Sequence, residues 1–192
     1  MQTVSSLVRN GSAVLYPIPA APDPRFRYLR VEVAGNLPGL LVLGYVDEHP
    51  QGAIEVWYSA NRETLKLQNG RIVATTGLPL DWAAVRFATA PPDWPQIPPE
   101  GTLYTRSRDE LPRYRFGIAE QVRVQPLAGP APYRWFGETV QPTAGAPVPA
   151  LPPARFAWGR HRGVWTVVQS EQCLTPDFCL KLQRWPVQEE AP

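Results

Sequence analysis

Proline, more than any other residue type, limits what this chain can fold into. Twenty-four of the 192 residues are proline, and they are bunched at 17–24, 91–99, 126–132 and 142–153. Proline lacks the backbone donor and fixes φ, so each bunch is excluded from a helix interior and from a central strand. The bunches therefore read as stiff connectors, and the segments between them must supply the regular structure.

Those segments carry a period of two or short apolar runs. Strands are expected at Phe26–Val33, Leu40–Val46, Ala53–Ser59, Thr64–Gln68, Arg71–Thr75, Thr102–Arg106, Tyr114–Gln125, Tyr133–Val140, Ala154–Trp158, Val164–Gln169 and Leu180–Trp185. Asn69-Gly70 between two of them is a hairpin signal, because both turn positions need positive φ. Gly159 to Gly163 reads as a second hairpin turn. Helix is expected only in short pieces, at Thr3–Arg9 and Leu80–Phe87. Ten to twelve strands at this spacing predict an all-β fold, an antiparallel meander closed as a barrel, half-barrel or sandwich. A single domain over 1–192 is expected, weakly helical or flexible over 1–25, with connectors at 91–99 and 142–153. A chain of this length buries roughly 70% of its unfolded surface.

Composition then excludes several functions. Charged residues are 19% and the net charge is +2, with the arginines spread along the chain. A nucleic-acid surface needs them clustered, so no nucleic-acid partner is expected. No run approaches the ~20 apolar residues of a membrane helix. A charged start followed by an apolar run is also missing, so the expectation is that the chain begins after any targeting segment, with Met1 added or in its place. Cys173 and Cys179 are the only cysteines and flank a Pro-Asp turn. A disulfide is expected, worth about 2 kcal/mol by loop entropy, and it implies an oxidising compartment. Zinc is the rival, but two cysteines lack the further ligands.

Catalytic patterns are sparse. Neither a Gly-x-Ser-x-Gly elbow nor an HExxH helix nor a phosphate loop occurs. His161 lies between arginines in an expected turn, and His49 lies in another, where a solvated polar turn is preferred over a metal site with Asp47 and Glu48. Paired carboxylates could cleave a glycosidic bond, with Asp47, Glu48, Glu55 and Asp81 the nominal candidates. No enzyme activity, metal or cofactor is expected. The aromatic inventory is richer, with seven Trp, seven Tyr and six Phe. Trp82, Trp94, Tyr133, Trp135 and Trp158 adjoin turns or proline tracts, where exposed rings could stack on sugars. Their competing role is packing of the sheet.

Glu55-Val-Trp57-Tyr-Ser59, followed by Thr64-Leu-Lys-Leu-Gln-Asn-Gly70-Arg71-Ile-Val-Ala-Thr-Thr76-Gly77-Leu78-Pro-Leu-Asp81, resembles the central signature of the YjbF/GfcB family of lipoproteins from exopolysaccharide and group 4 capsule loci. Val167-Val-Gln-Ser-Glu-Gln, with Pro176 beyond it, is similar to the family's closing strand and turn. The resemblance implies an exported, non-enzymatic lipoprotein, acylated on an N-terminal cysteine and held at the outer membrane facing the periplasm. The lipobox cysteine has no counterpart in this sequence. The implied role is to assist polysaccharide secretion or assembly by contacting the glycan, an outer-membrane secretion protein, or both. Within the motif, Trp57 is expected in the core, Gly70 in the turn, Arg71 on a carboxylate or ligand, and Thr76-Gly77 at the strand end. Two rivals remain: a half-barrel carrier or chaperone for an apolar ligand, and a glycan-modifying enzyme. With the charge balanced, sugar binding is expected to work through rings and to survive moderate salt, unless the arginines converge in the fold.

Overall fold

A computed structural model describes residues 23–34, 38–111, 113–141 and 149–187. The twelve strands are β1 (Tyr28–Val33), β2 (Gly39–Asp47), β3 (Ile54–Tyr58), β4 (Thr64–Gln68), β5 (Arg71–Thr76), β6 (Asp81–Phe87), β7 (Thr102–Leu111), β8 (Arg115–Leu127), β9 (Arg134–Val140), β10 (Ala154–His161), β11 (Val164–Thr175) and β12 (Phe178–Trp185). All are antiparallel neighbours in one sheet, ordered β5-β4-β3-β2-β1-β12-β11-β10-β9-β8-β7-β6. Every link but one is a simple meander. The exception pairs β1 with β12, matching Tyr28 to Trp185 and Val33 to Leu180.

That one pairing rolls the meander into a nearly closed barrel. It leaves the consecutive strands β5 and β6 as the two edges, and side chains seal the seam between them. Asp81 accepts from Thr75 Oγ1 at 2.9 Å, from the Gly77 amide at 2.9 Å and from the Leu78 amide at 3.1 Å. The Trp82 amide donates back to Thr75 Oγ1 at 3.0 Å. Gly77 needs its positive φ of 86° to turn the chain here. Leu78 and Leu80 are thereby carried into the core.

The segment expected as a helix at Leu80–Phe87 is strand β6 instead. A bulge between Trp82 and Ala84 breaks its period of two, and that hid the strand. The expected helix at Thr3–Arg9 lies outside the described residues. The tract at 91–99 lies between β6 and β7 and contributes core: Trp94, in a short 3₁₀ turn, and Ile97 are buried.

One apolar cluster, with Leu41, Trp57, Leu65 and Leu180, fills the barrel towards the seam. A second surrounds Trp94, Phe136 and Phe156. Between them lies a charged layer. Arg71 Nε meets Glu138 Oε1 at 2.7 Å, and Glu120 bridges Arg106 Nε at 2.7 Å and Arg108 Nε at 2.8 Å. Arg108 also pairs with Glu110. Three cations thus face three anions, and the layer is neutral.

The disulfide joins Cys173 and Cys179, directly opposed in β11 and β12. Reduction, or replacement of both cysteines by alanine, should lower stability by about 2 kcal/mol. Chemical denaturation with and without reductant measures this; identical midpoints would refute it.

Candidate functional site

Strands of a meander alternate in direction, so its connectors alternate between the two ends of the barrel. One end collects 48–53, 69–70, 88–101, 128–133 and 162–163 together with the chain after Trp185. This end is the open mouth. A cleft of about 540 Å³ lies there, lined among others by Arg27, Gln51, Gln68, Asp93, Thr166 and Arg184.

Strand pairing dictates the cleft's floor. Leu29 stands opposite Arg184, and Glu55 comes from β3. Arg184 Nη2 donates to Glu55 Oε2 at 2.7 Å and to Thr166 Oγ1 at 3.3 Å, while its Nε holds the Val167 carbonyl at 3.2 Å. Arg27 Nη2 reaches the other Glu55 oxygen at 3.3 Å. Two guanidiniums therefore share one carboxylate. The field registers on His161, which burial and the charges of Arg184, Arg162 and Arg27 push down to about 4. This imidazole is neutral at neutral pH.

Beside the cleft, the inner face of β9–β11 carries an aromatic and basic rim. Trp158 pairs with Arg134 on one side and with Val167 on the other, and Arg160 pairs with Trp165. Directly opposed residues project to the same face, so all five side chains point the same way. The Trp158 and Trp165 rings stack with centroids 6.2 Å apart and 16° between planes. Trp165 is 52% exposed, and the Arg160 guanidinium lies 5.7 Å from its ring centre.

Of the five rings proposed for sugar stacking, only Trp158 lies in this rim. Trp82 and Trp94 are buried, which corrects the expectation that turns expose them. Trp82 packs in the core beneath the Arg106 and Arg108 guanidiniums and donates to the Leu174 carbonyl at 3.2 Å. Trp94 donates to Asn69 and lies 4.0 Å beneath the Arg71 guanidinium. Trp135, on the opposite face of β9, and Tyr133, just before that strand, are half-buried, Tyr133 packed against Gly159 and Trp135 held by the Pro130 carbonyl at 2.9 Å. Trp165 escaped notice because nothing marked it as a partner of Trp158. The signal was its place beside the Gly159–Gly163 hairpin, which sets the two tryptophans across the strands.

The motif residues Trp57, Gly70, Arg71, Thr76 and Gly77 gather in the β3–β5 sheet and its seam. Trp57 is fully buried and donates to Glu55 Oε2 at 3.3 Å. Arg71, 1% exposed, pairs with Glu138 and is caged by Trp94, Tyr104 and Phe156. Its two Nη groups face rings where no hydrogen-bond acceptor is within reach. Thr76 is exposed at the end of β5. Among the nominal carboxylates, Asp47 at the end of β2 and Glu48 in the turn after it are exposed, Glu55 is held by arginines, and Asp81 binds the seam. His49 Nδ1 accepts from the Gln51 amide at 3.2 Å. No cluster of three metal-ligating side chains exists among the described residues.

These features define a small antiparallel β-barrel whose interior is filled by its own side chains and whose one mouth presents stacked rings and arginines. The same fold occurs in the crystal structure of the hypothetical lipoprotein YmcC from Escherichia coli K12, with a TM-score of 0.64 over 87% of this chain and 85% of that one at 18% identity. The chain belongs to the YjbF family, described as the group 4 capsule polysaccharide lipoprotein GfcB/YjbF, which it matches over residues 25–145. Members of that family are lipoproteins of the cell envelope. No curated protein matches the chain.

Proposed function

We propose that the protein is a non-enzymatic lipoprotein on the periplasmic side of the outer membrane that assists polysaccharide export or assembly by holding the glycan at the open mouth of its barrel. The observation that carries this reading is the Trp158–Trp165 stack beside the cleft, with the Trp165 ring open to solvent. A pyranose presents an apolar C–H face that fits a flat ring, while its hydroxyls need polar partners such as the side-chain amides of Gln51 and Gln68 and the hydroxyl of Thr166 that line the cleft. A carrier of apolar cargo would need an apolar cavity; here Trp57, Trp94, Phe136 and Phe156 occupy the interior.

The test is a titration of intrinsic tryptophan fluorescence with polysaccharide purified from cells expressing the protein's own locus. Binding should be weak and should quench or shift the emission. Trp165→Ala should weaken it about five-fold, in line with the ~1 kcal/mol of a ring contact, without lowering the thermal midpoint. No response of the native protein, together with specific capture of an outer-membrane protein, would replace glycan holding by partner docking.

A further inference from the structure

The arginines that look scattered along the chain are not scattered in space. The segments 126–137 and 151–170 contain four arginines, Arg134, Arg155, Arg160 and Arg162, and no aspartate or glutamate. Strands β9, β10 and β11 bring Arg134 and Arg160 to the same face as the stacked tryptophans. Both are exposed. Their close contacts are with rings, Arg134 5.6 Å from Phe136 and Arg160 5.7 Å from Trp165. Neither has an acidic partner among the described residues, whereas Arg25, Arg30 and Arg86 elsewhere on the surface each pair with a carboxylate. One strand further on, Arg27 and Arg184 share the single carboxylate of Glu55.

A protein that needed only to stay soluble would gain nothing by keeping unpaired guanidiniums together beside exposed rings. We propose that the mouth binds an acidic polysaccharide, with the apolar face of a uronic-acid-type residue on Trp165 and its carboxylate held by Arg160 and Arg134. The planar guanidinium matches a carboxylate with two parallel N–H bonds, and a ring beneath it keeps the fork oriented. The proposal rests on the glycan reading above and adds the charge of the sugar. It also reverses the expectation of salt-tolerant binding, because an exposed cationic rim is screened by salt.

Oligomers of polygalacturonate serve as the acidic probe, dextran as the neutral one and poly-glutamate as a polyanion without sugar rings. The expected result is binding of oligogalacturonate that weakens roughly ten-fold between 50 and 300 mM NaCl, as the screening length shortens. Arg134→Gln combined with Arg160→Gln should lose at least ~5-fold in affinity with an unchanged thermal midpoint, because both side chains are exposed. Trp165→Ala should weaken the acidic sugar as well. Equal affinity for dextran and oligogalacturonate, poly-glutamate binding as tight as oligogalacturonate, or an unaffected double variant would each overturn the proposal. The polysaccharide of the protein's own locus separates the two readings. Salt-insensitive binding that Trp165→Ala abolishes would leave glycan holding intact and remove the acidic sugar, whereas no binding of any glycan would remove both.

Discussion

Glu138→Leu should destabilise the protein by about 3–5 kcal/mol, the range for breaking a buried ion pair from one side. The carboxylate is 5% exposed and accepts from Arg71 Nε at 2.7 Å. Among the described residues Glu138 is the one carboxylate paired with Arg71. Without Glu138 it becomes an uncompensated charge among Trp94, Tyr104 and Phe156, and its Nη groups already lack acceptors. Glu138 also bears on Tyr104, whose hydroxyl burial pushes well above its ordinary range, with the Glu138 charge adding to the effect. At 2–4 °C per kcal/mol for a chain of this size, the thermal midpoint should fall by roughly 10 °C. The double replacement Arg71→Met with Glu138→Leu should be less damaging than Glu138→Leu alone, since it removes the orphaned charge and leaves apolar volume. A single variant as stable as the native protein, or a double variant worse than the single, would show that the pair does not carry the layer between the two apolar clusters.

Gly70→Ala should cost about 3 kcal/mol, for two separable reasons. The first is backbone: Gly70 has φ of 79° after Asn69 at 48°, the pair that a two-residue hairpin demands. The second is space. A Cβ on Gly70 would stand 2.5 Å from Val167 Cβ and 2.6 Å from its Cγ2. The turn cannot back away freely, because the Gly70 carbonyl accepts from Gln172 Nε2 at 2.8 Å and Trp94 Nε1 donates to Asn69. Gly163 supplies the comparison. Its φ is 78°, and nothing lies within 4 Å of a Cβ built there. Gly163→Ala should therefore cost only the backbone part, about 1 kcal/mol, and the overpacking at Gly70 should add a further ~1–3 kcal/mol. Val167→Ala should relieve part of the Gly70→Ala loss. Equal midpoints for the two glycine variants would mean that the turn does not pack on β11.

The β character of the chain was legible because proline bunches, Asn69-Gly70 and period-two segments are local signals. Eleven of the twelve strands can be placed from them, since turns and alternation depend on neighbours in sequence. β6 could not, because its bulge cancels the alternation. The length of β7 was hidden for a different reason. Arg106, Arg108 and Glu110 look like a solvated stretch, yet they are buried. Their partner Glu120 lies on β8, and only pairing across strands reveals that the charges cancel. Closure was equally silent. Nothing local in Tyr28–Val33 or Phe178–Trp185 announces that the first and last strands pair, and that contact makes a barrel of the meander.

The site divides along the same line. The sequence by itself determined the all-β class, the Asn69-Gly70 hairpin, the cysteine pair and the motif of the YjbF family, each a matter of backbone preference or short spacing. Only the tertiary structure decided which tryptophans meet solvent. Trp82 and Trp94 stand beside turns in the chain but are enclosed by strands remote from them in sequence, while Trp158 and Trp165 are brought together by register. Net charge concealed the rim in the same way, because a sum over residues ignores position. Arg134 and Arg160 become neighbours of the Trp158–Trp165 stack only when β9, β10 and β11 lie side by side, since separation through space, which sets electrostatic and packing energies, is not encoded in separation along the chain.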